Sequence, residues 1–221
     1  MDDVHRLTVR ELARQYSNAG DPLGCFEAIY SQAGGDAARV PWADQSPNPG
    51  LLQWLDSAQT DGAGRRALTI GCGLGDDAEE LARRAFETTA FDISPTAIHW
   101  CRQRFPSSRV DYVAANLLDP PQSWMGAFHF VLESYTLQAL PPDLRPRAMA
   151  RAASFVAPGG ALLVIARGRE ASDPEGHMPW PLTREELNEF LELGLRERGF
   201  DGYLDHESPP VRRFRVEYAR P

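Results

Sequence analysis

Apolar positions along this chain fall into two regimes. In the first sixty residues they recur with helical spacing. Val9, Leu12, Ala13 and Tyr16 stand at i, i+3, i+4 and i+7, which is one stripe on a helix. Asp21 followed by Pro22 reads as an N-cap with proline at the first helical position, opening a helix through Ile29 and Tyr30. A Gly/Pro-rich stretch from Gly34 to Pro49 carries Trp42, and Leu51, Leu52, Trp54 and Leu55 predict a closing helix. From Arg65 onward the pattern alternates. Short apolar runs predict strands at 67–70, 88–93, 110–115, 127–132 and 161–166. Helical stripes lie between them: Ala78, Leu81, Ala82 and Ala85; then Ile98, Cys101 and Phe105; then Leu144, Ala148, Ala152 and Phe155, stopped by Pro158-Gly159-Gly160. Apolar strands without polar alternation, separated by helices, imply a parallel sheet covered on both faces.

The ending breaks this rhythm. Thr183 with Glu186 three residues on is a capping box. Two strands then follow at 200–206 and 211–218, with Ser208-Pro209-Pro210 between them. Phe214, Val216 and Tyr218 alternate with Arg213, Arg215 and Glu217, as in a half-exposed strand. So short a connection makes the pair antiparallel. The predicted class is therefore α/β: a doubly wound, Rossmann-like, seven-stranded sheet, mostly parallel, with a C-terminal antiparallel hairpin and an N-terminal helical cap. Residues 1–60 form the cap and 61–221 the main body of one domain, and 221 residues suffice for one sizeable core.

Composition narrows the partners. A formal net charge of −8 argues against nonspecific nucleic-acid binding and against an anionic membrane surface. Cys25, Cys72 and Cys101 form no closely spaced pair, so neither a disulfide framework nor a metal site is expected. Met1 to Arg6 lacks a positively charged start followed by an apolar stretch, and the apolar run Ala161–Ala166 is too short to span a bilayer. A cytoplasmic protein is expected.

The chemistry concentrates after the first strand. Gly71-Cys72-Gly73-Leu74-Gly75 lies between a predicted strand and helix, where glycines allow a tight turn and close approach of a ligand to the backbone. Cys72 serves there as a small filler. Asp92 ends the second strand, and in a doubly wound sheet its carboxylate falls beside the loop, suited to both hydroxyls of a ribose. A dinucleotide fingerprint would place its third glycine later and hold a pyrophosphate on helix amides. Here Asp76 and Asp77 open the helix. They would repel a pyrophosphate but suit an ammonium group, which favours S-adenosylmethionine over a nicotinamide dinucleotide.

The span from Ala67 to Arg167 resembles the class I methyltransferases. ALTIGCGLGDD is similar to their first motif, AFDISPTAI to the strand-end acid and following helix, and VAANLLD to the adenine-binding segment. FVLESYTLQALPP and FVAPGGALLVIARG are similar to their fourth and fifth strands. DISPTAI and VPWADQSPNPGLLQWLD further resemble the thiopurine and tellurite-resistance branch. The resemblance implies that S-adenosylmethionine is the cofactor and S-adenosylhomocysteine the product. It implies that Gly71, Cys72, Gly73 and Gly75 line the methionine and ribose portion, that Asp92 holds the ribose, and that Ile93 lies along the adenine. Asn116 and Leu117 would sit at the adenine edge, where many relatives carry Asp at the Asn116 position; an amide can still accept from the exocyclic amine. Ile70 stands where many carry an acid, and Asp76 or Asp77 could take over its contact with the methionine amine.

Methyl transfer is an in-line displacement with a neutral leaving group, so alignment is the main task and a general base is needed only by some acceptors. Glu133 and Tyr135 follow the fourth strand at the ligand-binding edge and are candidates for a structural role or cofactor contact, or else for base or substrate contact. Trp42, Tyr135, His177 and Trp180 are candidate walls for a small-molecule acceptor, roles set against plain anchoring of their loops. His129, within an apolar strand, reads as structural. The alternatives are a noncatalytic cofactor-binding module and a nicotinamide-dependent oxidoreductase.

Overall fold

The computed structural model describes residues 3–58 and 61–221, with side chains from residue 9 onward. Residues 59 and 60, at the expected boundary between cap and main body, lie outside them. Before the sheet come α1 (Asp3–Asn18), α2 (Gly24–Ala33) and α3 (Pro49–Ser57). Then follow β1 (Arg66–Ile70), α4 (Asp76–Arg83), β2 (Glu87–Asp92), α5 (Pro95–Arg104), β3 (Asp111–Ala114), β4 (Phe128–Ser134), α6 (Arg145–Phe155) and β5 (Val156–Arg167). The chain closes with α7 (Arg184–Leu187), α8 (Glu189–Glu192), β6 (Arg196–Leu204) and β7 (Arg212–Ala219).

The seven strands are ordered β3-β2-β1-β4-β5-β7-β6. β1 to β5 pair in parallel, and β7 runs antiparallel to both β5 and β6. The chain winds outward in one direction through β2 and β3, then restarts on the other side of β1 with β4. That reversal opens a crevice at the carboxyl ends of β1 and β4, the place where such sheets take ligands. On one face Leu68, Ile70, Val131 and Val164 pack with Phe155 of α6, Phe190 of α8 and Tyr218. On the other, Ala67, Phe130, Leu132 and Ile165 pack with Leu51 and Leu55 of α3 and Leu81 of α4. Burial of both faces is why the five parallel strands read as unbroken apolar runs.

Four details differ from the pattern reading. α2 starts at Gly24, with Leu23 as its N-cap; Asp21 caps a preceding turn by accepting from the Gly24 N–H at 3.0 Å. β4 continues to Ser134, because Glu133 is buried in register with Ile70 and Val164 although it is polar. α6 ends at Phe155 and β5 begins at once; Pro158-Gly159-Gly160 bulges out of the strand between the pairs Phe128–Val156 and Phe130–Ala161. β6 begins at Arg196, ahead of the expected start at 200; its first residues, Arg196-Glu197-Arg198-Gly199, are charged or glycine and carry no apolar strand signal. The capping box at Thr183 forms, with the Glu186 N–H donating to Oγ1 at 3.1 Å and the Thr183 N–H to Oε2 at 2.7 Å.

The cap docks through one carboxylate. Glu27 on α2 accepts from Ser94 Oγ (2.5 Å), Thr96 Oγ1 (2.5 Å) and the Thr96 N–H (3.1 Å) at the N-terminus of α5. Tyr30 and Val40 bury themselves beside it against Leu74, Ala97 and Trp100. Among the described residues no helix is long and apolar enough to cross a membrane. Replacing Glu27 with Ala should lower stability in urea titration by about 1–2 kcal/mol, the scale of lost charge-assisted hydrogen bonds discounted for partial exposure. An unchanged midpoint would show that the apolar contacts alone hold the cap.

Candidate functional site

The loop after β1 is shaped by contacts that exclude side chains. Gly71 has φ +58°, and a Cβ there would come within 2.3 Å of Thr136 Oγ1. Gly75 has φ +91° and caps α4; a Cβ there would meet the Tyr112 hydroxyl at 2.5 Å. Both positions therefore demand glycine for conformation and for space. The Cys72 N–H donates to the Phe91 carbonyl at 2.8 Å, so the loop runs on as an extension of the β1–β2 pairing. The Cys72 side chain packs with Ala78, Ile98 and Cys101 in the core behind the loop.

Asp92 closes the site's floor. Its Oδ2 accepts from the Gly73 N–H at 3.0 Å and its Oδ1 from the Ser94 N–H at 2.9 Å. A carboxylate offers about four acceptor positions. The Ile93 N–H also bears on this carboxylate, and acceptor capacity remains on it for a ligand donor. Ile93 beside it is half-buried. Asn116 Oδ1 accepts from the Leu118 N–H at 2.8 Å, which leaves one lone pair on that oxygen and the amide N–H groups to offer. Leu117 is buried in the core next to it.

The two acids at the start of α4 part ways. Asp76 forms a two-pronged ion pair with Arg104, at 2.8 and 2.9 Å, and is neutralised there. Asp77 turns toward the loop before α3, where its Oδ1 accepts from the Asn48 N–H at 2.6 Å. Asn48 Nδ2 in turn donates to Ser134 Oγ at 3.1 Å, tying the α3 cap to the exit of β4.

Glu133 lies beneath the crevice, in register with Ile70 at the end of β1. Its side chain is fully buried, and Oε1 accepts from the Thr136 and Leu137 N–H groups at 2.7 and 2.8 Å. One oxygen is thus engaged by the turn that follows, which accords with a structural role, while Oε2 has no hydrogen-bond partner among the described residues. Tyr135 does sit at the mouth, half-buried, with φ +64° and the Arg213 guanidinium 4.9 Å from its ring centre. Arg213 also pairs with Asp205 and Glu207, which binds the hairpin loop to this wall. Trp42 is anchored: its Nε1 donates to the Tyr30 hydroxyl at 2.7 Å, and it meets Phe26 and Tyr30 edge-on. The Trp180 N–H donates to the Gln138 carbonyl at 2.7 Å, while its carbonyl accepts from Arg145. His177 is exposed on the same loop, and Arg10 of α1 reaches over to the Met178 carbonyl at 3.0 Å. His129 is structural, its Nδ1 accepting from the Arg66 N–H at 3.0 Å.

One group escaped the pattern reading. Tyr30 is buried, accepts from Trp42, and donates its own O–H to no group among the described residues. Its oxygen lies 3.3 Å from where a Cβ on Gly73 would be. Burial first, and then the Asp92 charge, raise its pKa well above the usual phenol, so it stays a neutral donor. In the sequence Tyr30 stands only within a predicted helix, with nothing local to mark its hydroxyl.

Comparison with known proteins places this geometry. Residues 67–160 match a family described as a methyltransferase domain. The chain is 26% identical over 157 residues to the 2-heptyl-1-hydroxyquinolin-4(1H)-one methyltransferase of Mycobacteroides abscessus, covering 70% of this chain and 68% of that protein. It is 34% identical over 125 residues to the ubiquinone biosynthesis O-methyltransferase of Xanthomonas axonopodis pv. citri, covering 55% of this chain and about half (51%) of that relative. Its fold superposes on the 1,6-didemethyltoxoflavin-N1-methyltransferase of Burkholderia thailandensis, solved with 1,6-didemethyltoxoflavin and S-adenosylhomocysteine, with a TM-score of 0.69 at 17% identity, covering 88% and 87% of the two chains. A TehB-like methyltransferase from Corynebacterium glutamicum gives a TM-score of 0.63 at 16% identity, over 90% and 100%.

Three carboxyls at the site are raised chiefly by burial: Asp77 and Asp92 to about 6, Glu133 to about 7. Unfolded, such groups titrate near pH 4. Between about pH 4 and pH 7 the folded chain therefore holds more protons than the unfolded chain, and these groups' stabilising contribution is lost as pH rises through that window. A shift of about two units is worth roughly 3 kcal/mol per group at most. Urea titrations of wild type and Asp92→Asn across this range should show a shallower decline in the variant; identical slopes would contradict the assignment.

Proposed function

Since the chain carries a class I S-adenosylmethionine-dependent methyltransferase domain, we propose that it transfers a methyl group to the oxygen, nitrogen or sulfur of a small, aromatic acceptor. The observation that carries the reading is the enclosed Asp92 carboxylate, locked to the glycine loop by backbone N–H groups. A carboxylate so placed suits the hydroxyls of a ribose, which would donate to its remaining lone pairs. The side-chain-free loop at Gly71 and Gly75, the Asn116 amide and the Tyr30 hydroxyl fit the remainder of S-adenosylmethionine. When bound, that cofactor supplies an electrophilic methyl on sulfur with a neutral leaving group.

The protein's own part is to bind, orient and exclude water. Asp92 and Gly73 hold the nucleoside side, Ile93 and Leu117 supply apolar surface, and the Asn116 N–H meets a ring nitrogen. Tyr30 closes the site from the cap, held in place by Trp42 and, through α2, by Glu27. On the acceptor side stand Tyr135 and the loop of Trp180 and His177, with α1 braced over that loop by Arg10. Hydroxyquinolinone, toxoflavin-type and ubiquinone-pathway acceptors in the names of similar proteins support an aromatic acceptor for this chain. Reaction by proximity accords with a site whose buried acids are already engaged by backbone donors.

Calorimetric titration with S-adenosylhomocysteine tests the cofactor site. Asp92→Ala should weaken binding by about 1.5–3 kcal/mol, and Tyr30→Phe by about 0.5–1.5 kcal/mol. At pH 6, near the Asp92 pKa, ligand donors favour its ionised form, so wild-type binding should release protons, and less should be released by Asp92→Asn. Micromolar binding of NADH with no response to S-adenosylhomocysteine would overturn the reading. An acceptor screen with radiolabelled methyl donor then decides the chemistry: labelled phenols, N-hydroxyls or heterocycles support the proposal, and no label in any class favours a noncatalytic binding module.

A further inference from the structure

Glu133 has no place among the ligand contacts above, yet it is a charged residue at the centre of the sheet. It pairs in register between Ile70 of β1 and Val164 of β5, and none of its side chain reaches solvent. An apolar residue would satisfy the packing there without the cost of removing a carboxylate from water. Its second oxygen, Oε2, has no hydrogen-bond partner among the described residues. A buried polar atom left unpaired costs stability and calls for another explanation.

We propose that Glu133 is a positioning residue, whose carboxylate fixes the turn after β4 against the glycine loop and so holds the cofactor floor and the acceptor wall in register. The inference rests on the cofactor reading of that floor. Oε1 takes the N–H groups of Thr136 and Leu137 together, which sets the turn's shape. Thr136 then lies directly over Gly71, filling the space of its missing Cβ, and donates Oγ1–H to the Ile70 carbonyl at 3.1 Å. Between them Tyr135 is held at φ +64°, a conformation that bulky side chains avoid, with its N–H on the Ile165 carbonyl at 2.9 Å.

The same turn is gripped at its other end. Arg145, also buried, donates from Nε to the Leu137 carbonyl at 3.2 Å and from Nη2 to the Trp180 carbonyl at 3.0 Å. Nη1 pairs with Glu186 at 2.8 Å. A carboxylate at the N–H end and a guanidinium at the C=O end match the turn's own dipole. The path from the Gly71 loop to the Trp180 loop therefore runs through hydrogen bonds at every step: Thr136, Glu133, Leu137, Arg145, Trp180.

Titration of the full chain with S-adenosylhomocysteine at about 15 °C, with circular dichroism to confirm folding, tests this. Glu133→Ala should weaken binding at least tenfold and Thr136→Ala at least threefold. The double variant should be no more than twofold weaker than Glu133→Ala, because both act through one contact. Glu133→Gln keeps an oxygen for both N–H groups and should bind within threefold of wild type. A folded Glu133→Ala that binds within twofold of wild type, only melting earlier, would make Glu133 a stabilising residue and overturn the proposal. If Glu133→Ala does not fold, unchanged binding by Thr136→Ala overturns it instead. Wild-type protein that fails to bind S-adenosylhomocysteine refutes the cofactor reading itself, a separate result.

Discussion

Backbone N–H groups of Gly73, Ser94 and Ile93 converge on the carboxylate of Asp92, and the candidate site is organised around that meeting. Burial makes the charge costly and raises the pKa to about 6, while these donors favour the ionised form. The contact joins the end of β2 to the loop after β1 and fixes where that loop passes. Once the loop is fixed, Gly71 must lie under Thr136 and Gly75 against Tyr112, and neither position can carry a side chain. The glycine spacing is thus a consequence of packing from β3 and from the β4 exit, as well as of ligand approach.

The cap answers to the same centre. Glu27 docks α2 on the N-terminus of α5, beside Ser94, and Tyr30 comes to rest near Gly73 and Asp92. The crevice floor and the cap therefore share residues 92–96 as a common support. On the far side, Asp77 and Ser134 hold Asn48, so the loop carrying Trp42 is pinned at both ends, by Tyr30 and by the β4 exit.

Sheet, loop and Asp92 were legible in the sequence because each is a local signal: unbroken apolar runs, a glycine triplet after a strand, an acid at the next strand's end. What escaped has a physical reason in each case. Tyr30 passed as one residue of a predicted helix, because helical spacing says nothing of the hydroxyl at its tip. For Glu133 the pattern left a structural role and a ligand contact both open, because sequence does not show on which side of a strand end a carboxylate falls; its register between Ile70 and Val164 buries it. Asp76 and Asp77 looked like a pair, and only the long-range partners Arg104 and Asn48 separate them. Asn116 was legible as a position, but what its amide has left to offer follows from the turn made with Leu118. The bulge at Pro158-Gly159-Gly160 was mistaken for a helix stop because proline and glycine punctuate either element.

Amide hydrogen exchange with and without saturating S-adenosylhomocysteine tests the central claim most directly. Slower exchange should appear in 71–75, 92–94 and 116–118, and in α2 around Tyr30, while the hairpin strands β6 and β7 stay unchanged. Protection confined to that hairpin, or no change anywhere at saturation, would contradict a cofactor site built on Asp92.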